Sequence, residues 1–150
     1  FMTCAVCHVR ITTSPTRPMA WESEPIIEIA PMSCRTSSAA IVDGRIKVRV
    51  AAGDPLDEIV LRSYAIGAAH MAYGWVTSEG LAVDVDGTVH DLTIRSFGIP
   101  RAVDTPPIDV ENDPAAGQPV NGSDAVFVAV AAAVWLHQGC PSDLPTRGVL

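Results

Sequence analysis

The stretch VNGSDAVFVAVAAAVWLHQ, residues 120–138, decides the fold because it joins a polar loop directly to a long apolar run. The run is apolar on nearly every side of a helix, and Gly139 follows it as a typical helix stop. Asp124 would lie in the first turn, where a negative charge favours the positive end of the helix dipole. The sequence therefore predicts a buried helix over residues 124–138.

A second, longer helix is expected upstream, from Asp54 to about Ser78. Asp54 can cap the helix and Pro55 suits its first position, while Asp57 and Glu58 favour the positive end of the dipole. Glycine costs about 1 kcal/mol in a helix interior, so two glycines in mid-helix indicate close approach by another backbone or by a ligand, and tight helix packing is the favoured interpretation. The small residues of this helix are Ala65, Gly67, Ala68, Ala69, Ala72 and Gly74.

Strands are predicted on either side of this helix. Residues 45–50 alternate basic and apolar side chains behind an Asp43-Gly44 turn, as in a half-exposed hairpin strand. A second hairpin turns at Asp86-Gly87, and a short strand is expected from Pro107 to Glu111. Strands and helices do not alternate regularly, so the predicted class is α+β: mixed strands and hairpins, one long small-residue helix and one buried C-terminal helix.

The chain divides into three predicted regions. Residues 1–39 are rich in Ser, Thr and Pro and are expected to be a loosely ordered lead-in, apart from a short strand at Ile26–Ile29. Residues 40–139 form the predicted domain, and residues 140–150 a C-terminal tail.

Composition excludes several classes of protein. Hydrophobic residues make up 48% of the chain, which argues against disorder, and the net charge of −7 argues against a nucleic-acid partner. No apolar run approaches the roughly 18 residues of a membrane span, and no secretion signal is visible. Four scattered cysteines favour reduced thiols. The expectation is a cytoplasmic protein.

The N-terminal stretch Cys4-Ala5-Val6-Cys7-His8 spells the C-x-x-C-H pattern of covalent haem attachment. Such a site would need an exported protein, a helix around the motif and a distal ligand. Cys34 could instead complete a zinc site with Cys4, Cys7 and His8, although the second ligand pair is missing. The favoured interpretation is a lead-in without either group.

The loop before the final helix is the strongest candidate site. A glycine-bearing loop at a helix N-terminus presents free backbone N–H groups to an anionic ligand or a developing oxyanion. Asn121, Gly122, Ser123 and Asp124 form this junction. On this evidence Asp124 is either a helix-stabilising residue or a base that faces whatever the loop holds.

Three segments also resemble a known family. They are GAAHMAYGWVTSEGL (67–81), RSFGIPRAVDTPPIDVE (95–111) and VNGSDAVFVAVAAAVW (120–135). In order and spacing, residues 43–137 are similar to the C-terminal part of the molybdopterin-binding large subunit of the xanthine dehydrogenase and aldehyde oxidase family. The resemblance implies the second molybdopterin-binding domain of these molybdenum hydroxylases.

The resemblance implies oxidative hydroxylation of a small-molecule substrate, a heterocycle or an aldehyde. It also implies a molybdenum–molybdopterin cofactor shared with other large-subunit segments, and iron–sulfur clusters, with or without FAD, on partner subunits. Asp124 falls where the family has its glutamate base, and residues 121–123 fall on the adjoining cofactor-binding loop. The family's Gln and Glu near the cofactor are absent from residues 64–68.

Three interpretations follow for function. The chain is a fragment or split part of a molybdenum hydroxylase large subunit that is active only within a larger complex. Alternatively it is a non-catalytic scaffold that keeps the fold, or a small haem electron carrier that uses Cys4, Cys7 and His8.

Overall fold

The computed structural model describes residues 7–12, 26–31, 36–90, 93–113, 117–148 and 150. Its α+β class confirms the prediction. The elements in chain order are β1 (Cys7–Thr12), β2 (Ile26–Pro31), β3 (Thr36–Val42), β4 (Arg45–Ala51), α1 (Glu58–Thr77), β5 (Ala82–Val83), β6 (Val89–His90), a 3₁₀ turn (Ala102–Asp104), β7 (Ile108–Asn112) and α2 (Ser123–His137).

Five of the described strands form one mixed sheet in the order β1-β2-β3-β4-β7. All pairs are antiparallel except β4 with β7, which are parallel. The predicted hairpin is confirmed: Asp43 and Gly44 join β3 to β4 with φ values of 50° and 68°. Two positive φ values match the right-handed twist of the flanking strands, which explains why Asp-Gly suits this turn.

The segment predicted as a lead-in contains β1, β2 and the first part of β3. The predicted strand at Ile26–Ile29 lies within β2 and is confirmed. β1 was not expected, because it is specified by antiparallel pairing with β2 and the local sequence carries no sustained period. β3 spans Thr36–Val42 and so crosses the predicted boundary at residue 39.

Helices α1 and α2 pack against each other and cover one face of the sheet. The apolar side chains of β4, Ile46, Val48 and Val50, are buried on this face. Val126, Val130 and Val134 of α2 are fully buried in the same core. Successive strand side chains point to opposite faces, so the basic residues of β4 lie on the other side of the sheet.

Helix α1 begins three to four residues later than predicted. Asp57, not Asp54, is its N-cap: the Asp57 carboxylate accepts hydrogen bonds from the backbone N–H of Ile59 at 2.8 Å and of Val60 at 3.1 Å. The Asp54 N–H instead donates to the carbonyl of Gly117 at 3.1 Å. This hydrogen bond holds the Asp54 backbone against the loop before α2, so Asp54 is not part of the helix.

Helix α2 confirms the predicted position but is not buried on every side. Residues facing the sheet and α1 are buried, whereas Val128 and Trp135 are each 36% exposed. Apolar periodicity could not show this, because both faces of the helix carry the same kind of residue. Neither helix of the described residues is long and apolar enough to cross a membrane.

The second predicted hairpin is present as the short pair β5 and β6. The Asp84 carboxylate accepts from the backbone N–H groups of Asp86 and Thr88, and lies 3.0 Å from Nε2 of His90. These bonds, led by the one with His90, hold the pKa of Asp84 below its ordinary value. Asp84 therefore closes the turn.

Candidate functional site

The four predicted junction residues lie together at the start of α2. Gly122 occupies the N-cap position with φ −90° and ψ 0°. The Asn121 side chain performs the capping role, because its Oδ1 accepts from the Ser123 backbone N–H at 2.9 Å and from the Ser123 hydroxyl at 2.6 Å. An amide side chain thus satisfies the first free N–H of the helix.

The next two N–H groups of α2 belong to Asp124, which is exposed, and to Ala125, which is buried. The first intrahelical bond runs from Val126 N–H to the Gly122 carbonyl at 3.0 Å. The amides of Asp124 and Ala125 have no hydrogen-bond partner elsewhere in the described part of the chain, as expected for a helix N-terminus. The Asp124 side chain is exposed in the same turn. The arrangement places two amide donors and one carboxylate at the positive end of the helix dipole.

Packing, rather than a ligand, explains Gly122. The residue is buried, and a Cβ at this position would lie 2.8 Å from Cγ2 of Val50. The loop is also anchored by a hydrogen bond from Val120 N–H to the Ala52 carbonyl at 3.0 Å. Close approach of the loop to the end of β4 therefore fixes where α2 begins.

A groove of about 420 Å³ lies beside this junction. It is lined by both Tyr64 of α1 and Asn121 of the loop, and so joins two segments that the resemblance aligned with the family's cofactor-binding parts. The apolar lining was not predicted, because its two sides are far apart in the sequence. The lining residues are Pro55, Leu56, Asp57, Val60, Leu61, Tyr64, Pro119, Val120 and Asn121.

The two glycines of α1 have different surroundings. A Cβ on Gly74 would overlap the Glu79 carboxylate and lie 2.7 Å from Cδ of Pro100, so tight packing explains this glycine. Gly67 is exposed, and a Cβ there would meet no atom within 4 Å. The predicted close approach is therefore confirmed at Gly74, whereas no described residue approaches Gly67.

His70 and Glu79 connect α1 to the following loop. Nδ1 of His70 lies 2.9 Å from the hydroxyl of Thr105, which closes the 3₁₀ turn. Burial raises the pKa of the Glu79 carboxyl, and the nearby His70 partly offsets this. These contacts hold the Gly98–Thr105 connection against the helix and give His70 a structural role.

The N-terminal cysteine motif lies mostly outside the described residues, which include Cys7 and His8 but not Cys4–Val6 or Cys34. Cys7 and His8 begin β1, a strand paired with β2. A haem site would need a helix there, so the strand does not favour that alternative. In the part of the chain that the structure describes, no three His, Cys, Asp or Glu side chains are grouped to hold a metal ion.

No protein-family profile and no curated protein matches the sequence. Among solved structures, the chain is similar to quinoline 2-oxidoreductase from Pseudomonas putida 86, with a TM-score of 0.59 and 14% identity over 82% of this chain and 18% of that one. It is also similar to a Cu,Mo-CO dehydrogenase, with a TM-score of 0.53 and 13% identity over 77% of this chain and 16% of that one. CO dehydrogenase from Oligotropha carboxidovorans gives a TM-score of 0.53 at 14% identity over the same shares.

The fold resembles a segment of a molybdenum hydroxylase large subunit. At this identity the comparison shows the fold alone, and it confirms the resemblance predicted from residues 43–137. This chain spans only 16% to 18% of the length of the molybdenum hydroxylase chains that it matches.

Proposed function

We propose that the chain is a fragment or split part of a molybdenum hydroxylase large subunit, in which Asp124 is the general base. The observation that carries this proposal is the exposed Asp124 carboxylate on the first turn of α2, beside the backbone amides of that turn and three residues after Asn121, which lines the groove. The reaction would be oxidative hydroxylation of a heterocycle or an aldehyde. The working protein would be an assembly with the remaining large-subunit segments and with iron–sulfur and flavin subunits, in the cytoplasm.

The residues present fit one edge of a molybdenum–molybdopterin cofactor. The amides of Asp124 and Ala125 would donate to an anionic group, and the Asn121–Ser123 loop would lie against it. The Asn121 and Ser123 side chains already bond to each other, so they shape the loop and leave binding to the backbone. When bound, the cofactor supplies the oxidation of the substrate carbon.

The role of Asp124 is to hold a proton acceptor at the mouth of this loop. An exposed carboxylate can take a proton from a group within hydrogen-bond reach. Aspartate is one methylene shorter than the family's glutamate, and a misplacement of about 1 Å can cost on the order of a hundredfold in rate. Residues outside the chain must therefore bring the reacting group closer to α2.

The test is to compare Asp124→Asn and Asp124→Glu in the assembled complex. Asparagine keeps the size and hydrogen bonding of the side chain but removes its basicity, so turnover should fall by roughly two or more orders of magnitude. Glutamate restores the longer reach and should keep or raise turnover. Turnover and melting temperature are measured together for both variants.

The competing candidate is a non-catalytic scaffold, favoured by the mutual hydrogen bonds of Asn121 and Ser123, which leave the loop complete without a ligand. On that view Asp124→Asn costs about 0.3–1 kcal/mol through the helix dipole and affects no chemistry. Unchanged turnover of the Asp124→Asn variant, in a complex that is otherwise active, would remove Asp124 from the mechanism.

A further inference from the structure

The outer side of the helical layer carries large apolar residues that the described part of the chain covers only in part. We call this surface the helix face and define it by Val60, Tyr64, Met71, Trp75, Val128 and Trp135. Tyr64, Met71 and Trp75 are 58%, 54% and 49% exposed. Single exposed apolar side chains are common on proteins, but a contiguous group of them marks an interaction site.

The spacing of these residues shows that they share one side of α1. Val60, Tyr64, Gly67, Met71 and Trp75 follow one another at intervals of three or four residues. Residues at these intervals are neighbours on a helix surface. Gly67 lies in the middle of the row, where it leaves open space above the helix backbone. The row is therefore a continuous strip with a shallow depression at its centre.

The strip continues onto α2. The rings of Trp75 and Phe127 lie with their centroids 6.1 Å apart at an angle of 51°, and so bridge the two helices. Val128 is next to Phe127 in α2 and is exposed. At the other end the strip meets the Tyr64–Asn121 groove, whose rim includes the 94% exposed Leu56. The helix face thus leads directly to the candidate site.

Charge is distributed unequally between the two sides of the molecule. Helix α1 has no Asp, Glu, Lys or Arg after Arg62, and α2 has none after Asp124. The opposite side of the sheet carries the ion pairs Arg45–Asp109 and Arg49–Glu111. A helix surface that faces water normally carries charged residues. The charged side chains of the sheet side are typical of a surface that faces water. The lack of charge on the helix face is typical of the core of an interface.

We propose that the helix face docks an apolar surface of the remaining large-subunit polypeptide and that this contact covers the groove lined by Tyr64 and Asn121. The inference rests on the proposed function. This partner is chosen because the matched chains are about six times as long as the segment this chain spans, so the equivalent segment there belongs to a much larger polypeptide. Docking would also bring the reacting group toward the short carboxylate of Asp124.

Site-specific photo-crosslinking in the source cells tests the surface. A benzophenone amino acid replaces Met71 on the helix face or, as the matched control, Lys47 on the opposite side of the sheet. Mass spectrometry then identifies the crosslinked chain. The Met71 position should capture a polypeptide with the other molybdopterin-binding segments, at least tenfold more efficiently than the Lys47 position. Capture of a second copy, of an unrelated chain or of nothing, or equal capture at both positions, would overturn the proposal.

A charge substitution provides the second measurement. Met71→Glu should reduce co-purification of the captured polypeptide by tenfold or more, whereas Lys47→Glu should not, and neither should alter the melting temperature of the isolated chain appreciably. Undiminished co-purification with Met71→Glu would overturn the docking surface. A docked complex that contains no molybdenum would refute the proposed function and leave the docking surface standing. A molybdenum-containing assembly held through another face would support the proposed function and overturn the docking surface.

Discussion

Asp57 begins α1, whereas Asp54 does not, because the backbone around Asp54 is held by the loop that precedes α2. Gly53 has a φ of 74°, and a Cβ there would overlap the Gln118 carbonyl. The Asp54 N–H donates to Gly117 in the same contact. Asp57 lies beyond this contact, and its extended backbone (φ −155°, ψ 117°) suits a capping residue. One long-range contact therefore decides between two carboxylates that are equally suitable in sequence.

Removing the two carboxylates separately tests this assignment. Asp57→Ala deletes two hydrogen bonds to the first turn of α1 and should lower the free energy of unfolding by about 1 kcal/mol. Asp54→Ala removes an exposed side chain and should change it by less than about 0.5 kcal/mol. Urea denaturation of the isolated chain measures both. Equal losses would contradict the capping role of Asp57.

At the scale of elements, the sequence predicted the helices and strands that carry a local sequence pattern. Apolar runs, an Asp-Gly turn and alternating charge were enough for α2, the β3–β4 hairpin and most of α1. β1 could not be predicted, because only its pairing with β2 defines it. In the candidate site, too, the local part was predicted and the long-range part was not. The loop of residues 121–124 was recognisable from its position before a helix, but the groove joins Tyr64 to Asn121 across more than fifty residues of chain.

The two glycines of α1 allow packing and helix propensity to be separated within one element. Gly67→Ala adds a methyl group to open space and should stabilise the isolated chain by up to about 1 kcal/mol, the difference in helix propensity. Gly74→Ala gains the same propensity but forces Pro100 and Glu79 away, and overpacking of this kind costs about 1–3 kcal/mol. Thermal and urea unfolding of both variants should therefore show shifts of opposite sign. A stabilised Gly74→Ala variant would show that the Pro100 contact yields easily.

At the scale of the whole molecule, the two faces have different energetic roles. The bidentate Arg45–Asp109 pair lowers the pKa of Asp109, mainly through its hydrogen bonds, but both side chains are exposed. Exposed pairs of this kind contribute little to stability, because solvent screens their charges. The buried valines and alanines between sheet and helices supply the stability of the core. The helix face is only partly buried and carries no charge, which is why we assign it to a partner.

The same asymmetry predicts that the isolated chain cannot retain the molybdenum cofactor. In the proposed assembly, the first-turn amides, the Asp124 carboxylate and one open groove would contact a single edge of the cofactor, and the other contacts would come from polypeptide docked on the helix face. The chain, expressed in a host that makes the cofactor and purified by gel filtration, should contain essentially no molybdenum by elemental analysis. A complete molybdenum hydroxylase expressed in the same host controls for cofactor supply. About one molybdenum atom per isolated chain would show that the site is complete without a partner.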